Sequence, residues 1–495
     1  MLRVRDKQNV AAAPAGFWAL CSRFARDDAR RFRYHAGMSP LDIAITEGRR
    51  FIDSLPTRSV GPTGSRADIL AALPAHLPEH GMDPADVVRT IARAAEPGLN
   101  ANMSGRFFAW VNGGALPAAQ AADVLTSLWD QNAVLAATSP AAAVLEEVAA
   151  RMLLDALHLP ADCAVSFTTG CQMSHVAALA AARHHVLART GWDVERDGLW
   201  GGPRIRVLAN AHRHGSVDRA LRLLGFGTAC LVPITGAEPG RVGVDELKAA
   251  LAEAAGAPTI VVLNAGDLNL GQSDDFAALV PIAQAAGAWV HIDGAFGLWL
   301  AASPRFAHQV AGIQMADSIA SDGHKWLNTP YDCGMAITRH GDALQASMRL
   351  TASYLSQDGD TRDPMNTTPE WSRRARALPV LAALLELGRG GLADLIARCC
   401  DHALTLHDGL AALPGATSVA RPIMNQGMVR FGDAAGRNIS DAVIAAINAS
   451  GEAFFSGTTW AGERAMRISV CNWQTNADDV RRTVAAAAQA VADLR

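Results

Sequence analysis

Between about residue 140 and residue 338 the chain repeats one pattern, a short β-rich run followed by a helical stretch. The runs are CAVSF (163–167), IRVLAN (205–210), TIVVLN (259–264), WVHID (289–293), SIAS (318–321) and GMAIT (334–338). Helical stretches at 174–189, 216–224, 245–255 and 275–286 lie between several of them. Repeated strand–helix–strand units predict an α/β domain, with a mostly parallel sheet covered by helices. Ahead of them, SPAAAVLEEVAARMLLDALHL (139–159) reads as a strong helix with Ser139 as its N-cap.

A chain of 495 residues exceeds one compact domain. The pattern divides it into an N-terminal helical arm (1–105), a large domain (106–375) and a small C-terminal α/β domain (376–495). In the arm, FWALCSRFARDDARRF puts Phe17, Leu20 and Phe24 on one helical face, and GPTGSR (61–66) is a loop. Those apolar faces need cover from elsewhere. The small domain shows helical runs and two weaker strands, MVRF (428–431) and AMRISV (465–470). Residues 349–371 are polar and rich in turn formers, the composition of a mobile lid.

A net charge of −4 supplies no basic field, so nucleic acid is not an expected partner. No apolar run reaches the roughly 18 residues of a membrane span. The basic start MLRVRDK leads into a mildly apolar stretch without a small-residue cleavage site, which argues against a signal peptide. The eight cysteines are scattered, with no CxxC pair and no metal-ligand spacing. They read as reduced thiols of a cytoplasmic protein with no metal site.

Four segments carry chemistry. In SDGHKWLNTPYDCG (321–334), Lys325 follows an apolar strand and is flanked by Ile319, Trp326 and Leu327. Lysine is rare in such surroundings unless it is paired or chemically used. Desolvation would lower its pKa and make it a nucleophile for carbonyls. In WVHIDGAFGLW (289–299), Asp293 ends a strand, where ligands of open parallel sheets bind. A lysine for an aldehyde and an acid for a pyridine nitrogen are what pyridoxal 5′-phosphate (PLP) requires. In SFTTGCQMSHVAALAAAR (166–183), a helix N-terminus after a strand suits a phosphate. In AHRHGSVDRALRLLG (211–225), an imidazole at a strand end could stack on an aromatic cofactor, and spacing alone does not say which.

Taken together, TTG, H-x-S-V-D-R-A, HIDGAFG and HKWLNTPYDCG resemble the group II PLP-dependent decarboxylases, which include the aromatic-amino-acid, histidine and glutamate enzymes, over residues 60–480. The resemblance implies PLP fold type I, like aspartate aminotransferase, in a homodimer around which the arm wraps. It implies Lys325 as the Schiff-base lysine, Asp293 on the pyridine nitrogen, Ala295 against the ring and His214 stacked on it. His324 would contact phosphate or substrate, and Gly170, Cys171 and Gln172 would cradle the phosphate. Tyr354, in ASYL, would match the mobile-loop tyrosine that returns a proton to the substrate's Cα. Phe107, Phe108 and Trp110 match a region lining the substrate pocket, so an aromatic substrate would be favoured if they face it. Two departures stand out. The phosphate turn lacks the usual small hydroxyl residue, and Asp267 and Leu268 replace two threonines of the family, with Asn269 as a stand-in for the ring-hydroxyl contact.

The implied activity is decarboxylation of a small-molecule L-amino acid to an amine, through a Schiff base and a quinonoid. Its rivals are an aldehyde-forming oxidative deaminase, a lyase or an aminotransferase, the last binding the α-carboxylate through Arg467 unless that residue is in a structural salt bridge. A rival from another class is a catalytically silent PLP-fold subunit that binds or regulates.

Overall fold

A computed structural model of the chain describes residues 38–350 and 363–495. Phe17, Leu20, Phe24 and Tyr354 lie outside the described residues. The described residues form two compact units, one within 38–54 and 63–99, the other within 55–62, 100–350 and 363–495.

The first unit holds α1 (Pro40–Ser54), α2 (Arg66–Ala71) and α3 (Pro84–Ala95). Their starts are set locally. Ser65 and Asp68 form a reciprocal capping box at α2, and Asp83 caps α3 ahead of Pro84.

The second unit contains α4 (Pro117–Trp129), α5 (Pro140–Ala156), β1 (Ala164–Thr168), α6 (Cys171–Ala188), β2 (Arg206–Asn210) and α7 (Gly215–Leu223). There follow β3 (Leu231–Ile234), α8 (Val244–Glu253), β4 (Thr259–Asn264), α9 (Phe276–Ala285), β5 (Trp289–Asp293), β6 (Ser318–Asp322) and β7 (Gly334–Thr338). Seven strands make one sheet in the order β1-β7-β6-β5-β4-β2-β3, parallel except that β7 runs against both its neighbours. Both faces are covered, as a parallel sheet requires. Along β4, Val261 and Leu263 enter one core cluster, while Ile260 and Val262 enter another.

Ser139 sits at the N-cap of α5, but its hydroxyl does not cap the helix; it donates to the Asn132 carbonyl at 2.8 Å. The C-terminal part opens with a long helix, α10 (Ala377–Ala411), which kinks at Gly388. An antiparallel sheet of β8 (Ala416–Ala420), β9 (Gln426–Phe431), β10 (Ser456–Trp460) and β11 (Glu463–Ser469) follows, in the order β10-β11-β9-β8. The helices α11 (Ser440–Ser450) and α12 (Ala477–Leu494) accompany it. Strands β3, β8 and β10 were not anticipated from the sequence. All three are edge strands and only partly buried; β8 and β10 carry little apolar pattern, whereas β3 is the four-residue run LVPI interrupted by Pro233.

Candidate active site

The carboxyl ends of β4, β5 and β6 and the N-termini of α6 and α7 surround a cavity of about 520 Å³. Gly170, Cys171, Gln172, His214, Asp293, Ala295, His324 and Lys325 all line it. Two close approaches shape its rim. A Cβ on Gly334 would lie 2.3 Å from the Gly170 carbonyl carbon, so only glycine lets β7 pass the turn before α6. A side chain on Gly113 would strike the Lys325 carbonyl in the same way.

Asp293 is buried, and both its oxygens are engaged. The Ala295 amide donates to Oδ1 at 3.1 Å, the Cys171 thiol lies 3.8 Å from that oxygen, and His175 Nε2 lies 3.5 Å from Oδ2. Burial pushes the carboxyl up, but His175, Lys325 and the Ala295 amide together outweigh it and hold it well below the usual carboxylate range. The Cys171 thiol moves the other way. Burial first, then Asp293 and Asp322, push it far up, so it stays protonated.

Lys325 corrects an expectation. Burial does pull its pKa down, but Asp322 above all, with Asp293 beyond it, outweighs burial and raises it. Its ammonium lies 3.1 Å from Asp322 Oδ2. Asp322 is buried and also accepts the Cys171 backbone N–H at 2.6 Å, so one amide of the expected phosphate turn is already taken. His324 accepts the Cys333 N–H at Nδ1 (3.2 Å) and stacks on Tyr331 with ring centroids 4.4 Å apart; burial pushes its pKa down. His214 is the N-cap of α7, its Nδ1 accepting the Ser216 N–H at 3.3 Å. Burial lowers its pKa as well. Arg219 lines the cavity and donates to Gln172 Oε1 at 3.3 Å, putting a cation near the helix N-termini.

Three expectations move. Asn269 is not among the cavity-lining residues, and its Oδ1 accepts the Thr458 hydroxyl at 3.0 Å. Asp267, in place of a family threonine, turns its carboxylate on its own loop, accepting the amides of Asn269, Leu270 and Gln272 at 2.9–3.0 Å. The residue that β4 does bring to the cavity is Asn264. It is 3 % exposed, and neither polar atom of its side chain has a hydrogen-bond partner among the described residues. Its backbone is pinned, since Asp274 Oδ2 accepts its N–H at 2.7 Å. Finally, Phe107, Phe108 and Trp110 do not line the cavity. Phe107 stacks on Phe454 at 5.3 Å, and Phe108 packs on Phe455 at 5.4 Å and is fully buried, whereas Trp110 is half exposed. Arg467 is buried without a carboxylate within ion-pair distance among the described residues; it donates to the Leu268 carbonyl at 3.0 Å, and burial lowers its pKa to about 10.

The sequence reading missed Asp322, His175, His291, Asn264 and Arg219. Two of these had a local signal. Asp322 ends the strand three residues before Lys325, and His291 is a polar residue at an inward position of a fully buried strand.

The model of the pyridoxal-dependent decarboxylase conserved domain matches residues 67–430, roughly three-quarters of the chain. The chain belongs to the pyridoxal-dependent decarboxylase family. It is similar to L-2,4-diaminobutyrate decarboxylase of Rhizobium meliloti, 29 % identical over 387 residues and 76 % of each chain. Tryptophan decarboxylase 1 of Oryza sativa is 29 % identical over 410 residues, covering 78 % of this chain and 77 % of its own. Its fold matches that of an Oryza sativa TDC solved with PLP and tryptamine, with a TM-score of 0.85 at 23 % identity over 93 % of this chain and 100 % of that one. The fold is therefore PLP type I, the cofactor is PLP and the enzyme is an amino-acid carboxy-lyase. The side chains fit that cofactor: a lysine, a carboxylate with its charge held, a cation near two helix N-termini and an unpartnered buried amide line one cavity. No helix among the described residues is long and apolar enough to cross a membrane.

Proposed function

We propose that this decarboxylase binds PLP covalently at Lys325 and releases CO₂ from an L-amino acid above Asp293. The observation that carries this reading is the meeting of Lys325 and Asp293 in one cavity at the ends of adjoining strands. When bound, PLP supplies the electron sink that accepts the pair left by departing CO₂. The protein's share is orientation and charge. Asp293, held ionised, keeps the ring nitrogen protonated. His214 and Ala295 bracket the ring. Gln172, the remaining amides at the start of α6 and Arg219 take the phosphate, with His324 beside them. Asp322 holds the Lys325 side chain in place within the cavity. Tyr354 returns a proton to the substrate's Cα.

The aromatic preference suggested by Phe107, Phe108 and Trp110 loses its support, because two of the three are in core packing. The proposed substrate is thus an L-amino acid with its side-chain class open. Arg467 has no salt bridge among the described residues, but it does not line the cavity and its guanidinium is held by the Leu268 carbonyl and Gln426, so the α-carboxylate contact weighed for an aminotransferase gains no support. Aldehyde formation is the second reading, favoured by a relative 25 % identical, the 4-hydroxyphenylacetaldehyde synthase of Rhodiola rosea. We further propose a cytoplasmic homodimer without nucleic-acid or membrane partners. Exposed Leu77 and Ile91 in the first unit, the free thiols and the net charge support this. The domain division at 105 and 375 is retained on the same footing.

Screening L-amino acids for CO₂ release, with amine, aldehyde and hydrogen peroxide measured together, tests the reading. Amine should dominate in the wild type. Tyr354→Phe should slow amine formation by about 10²-fold and divert product to aldehyde, ammonia and peroxide, as oxygen takes up the two electrons that a proton at Cα otherwise traps and becomes peroxide, while water supplies the aldehyde oxygen and releases ammonia. Amine at the wild-type rate in the variant would remove Tyr354 from the proposal.

A further inference from the structure

Beneath Asp293 a run of polar contacts leads away from the cavity into the sheet. His175 Nε2 lies 3.5 Å from Asp293 Oδ2 and equally 3.5 Å from the Cys171 sulfur, and His175 Nδ1 lies 2.8 Å from His291 Nε2. His291 Nδ1 is 2.9 Å from the Ser318 hydroxyl, which accepts the indole N–H of Trp289 at 2.8 Å. None of the four residues beyond Asp293 is more than 1 % exposed. Local geometry assembles them. Trp289, His291 and Asp293 alternate onto one face of β5. Ser318 on β6 is the register partner of His291. His175 stands one turn into α6, the helix that begins at the cavity with Cys171.

Imidazoles transmit direction, because in the neutral ring one nitrogen donates and the other accepts. The far end of this run decides which. The Trp289 indole can only donate, so it occupies Ser318 as an acceptor. Ser318 must then place its own proton, and His291 Nδ1 is the acceptor that the described hydrogen bonds offer it. A bare Nδ1 puts the His291 proton on Nε2, which donates to His175 Nδ1. His175 in turn carries its proton on Nε2, facing Asp293. Burial pushes His291 down to about 3, which keeps that ring neutral with one nitrogen free to accept.

We propose that Trp289, Ser318, His291 and His175 form a one-directional relay that presents an N–H to Asp293 and fixes that carboxylate as the anion facing the cofactor's ring nitrogen. The proposal rests on the assignment of Asp293 to that nitrogen. His175 and His291 are positioning residues, acting through Asp293. The alternatives are worse on the same contacts. With either imidazole reversed, His175 turns a bare lone pair toward the carboxylate, and the Cys171 thiol, 3.5 Å from that nitrogen, could meet it only by giving up its contact with Asp293 Oδ1. With His175 fully protonated and His291 turned to suit it, the Ser318 proton loses its acceptor in a dry interior. The same direction explains why Cys171, His175 and Asp293 can lie close enough to hold a metal without being a metal site. A protonated thiol and an imidazole N–H are two donors around one carboxylate, not ligands.

Two measurements test the relay. The first is histidine-selective ¹⁵N spectroscopy of the wild-type chain before PLP is added, with His175→Gln and His291→Gln used only to assign signals. Both rings should be neutral, with the proton on Nε2. A proton on Nδ1 of either would overturn the proposal whatever the cofactor assignment. The second is Ser318→Ala, two imidazoles away from the carboxylate, loaded with PLP or with an analogue whose ring nitrogen is replaced by carbon. With PLP, kcat should fall about fivefold at unchanged KM, and the absorbance of the bound cofactor should shift its pH titration. With the analogue the variant should match the wild type. Ser318→Thr, which keeps the hydroxyl, should restore both readouts. Equal losses with both cofactors would mean a structural defect, and no loss with PLP would mean no relay; either result sinks it. If the wild type is as active with the analogue as with PLP, it is the role of Asp293 that fails, while the tautomer result stands.

Discussion

Asn264 and Asp293 are register partners at the ends of β4 and β5, yet their side chains live on opposite terms. On the β5 and β6 side, every carboxylate oxygen has a donor. Asp293 has Ala295, Cys171 and His175, and Asp322 has the Cys171 amide, His324 and Lys325. On the β4 side, Asn264 is equally buried and its amide has no partner. A buried polar atom without a partner costs about 1–3 kcal/mol, so a chain that satisfies one strand end and not its neighbour is holding the second in reserve for something else. The difference separates two tasks. One side sets protonation states in advance, using only the protein's own groups. The other leaves a donor and an acceptor open for a ligand to complete.

The hardest way to break this comparison is to remove the engaged side. Lys325→Ala should abolish turnover and leave PLP held without a covalent bond. Borohydride reduction of the wild type should then tag Lys325, and a tag on another lysine would refute the assignment. Asp293→Asn should come next, lowering the rate on the order of 10²–10³-fold, with Asp293→Glu milder. The amide removes the negative charge and sets an N–H₂ among donors that now lack an acceptor. Near wild-type rates in the asparagine variant would mean that the charge on this side is incidental.

The two sides also differed in how far the sequence revealed them. HIDGAFG and HKW carry their chemistry on the surface of the pattern, an acid ending one apolar strand and a lysine following another, and the structure brings both to one cavity. The seven-stranded sheet was legible for the same reason, since its central strands are continuous apolar runs. Edge strands β8 and β10 are half exposed and gave no such run, while β3 is only the four residues LVPI with a proline inside it. On the β4 side, reading along the loop suggested Asn269 because it followed the two replaced threonines. What decides is three-dimensional: Asp267 spends its carboxylate on the loop's own amides, Thr458 from the other sheet takes Asn269, and the last residue of β4 is what remains facing the cavity. The lysine pKa was misjudged for a related reason. Burial can be inferred from flanking residues, but a compensating carboxylate three residues away counts only once a turn brings it within 3.1 Å.

The smallest effect is the most discriminating, because its two readouts should move in opposite directions. Asn264→Leu replaces an unpartnered amide by an apolar group of similar shape. Without PLP, the chain no longer buries a donor and an acceptor that nothing meets, so its unfolding free energy should rise by about 1 kcal/mol. With PLP, the contact that the amide was held for is gone, and cofactor affinity should fall roughly tenfold, the equivalent of one hydrogen bond to a polar or charged group. Chemical denaturation of the cofactor-free chain gives the first quantity, and a PLP titration followed by absorbance gives the second. Because the Asn264 backbone N–H is tied to Asp274 rather than to its own side chain, the strand end should keep its position in the variant. If stability and affinity fall together, the leucine has simply disrupted the strand end. If stability rises and affinity is untouched, the β4 side is not where the cofactor completes its contacts, and the amide faces the substrate instead. That outcome would appear as a raised KM for the amino acid.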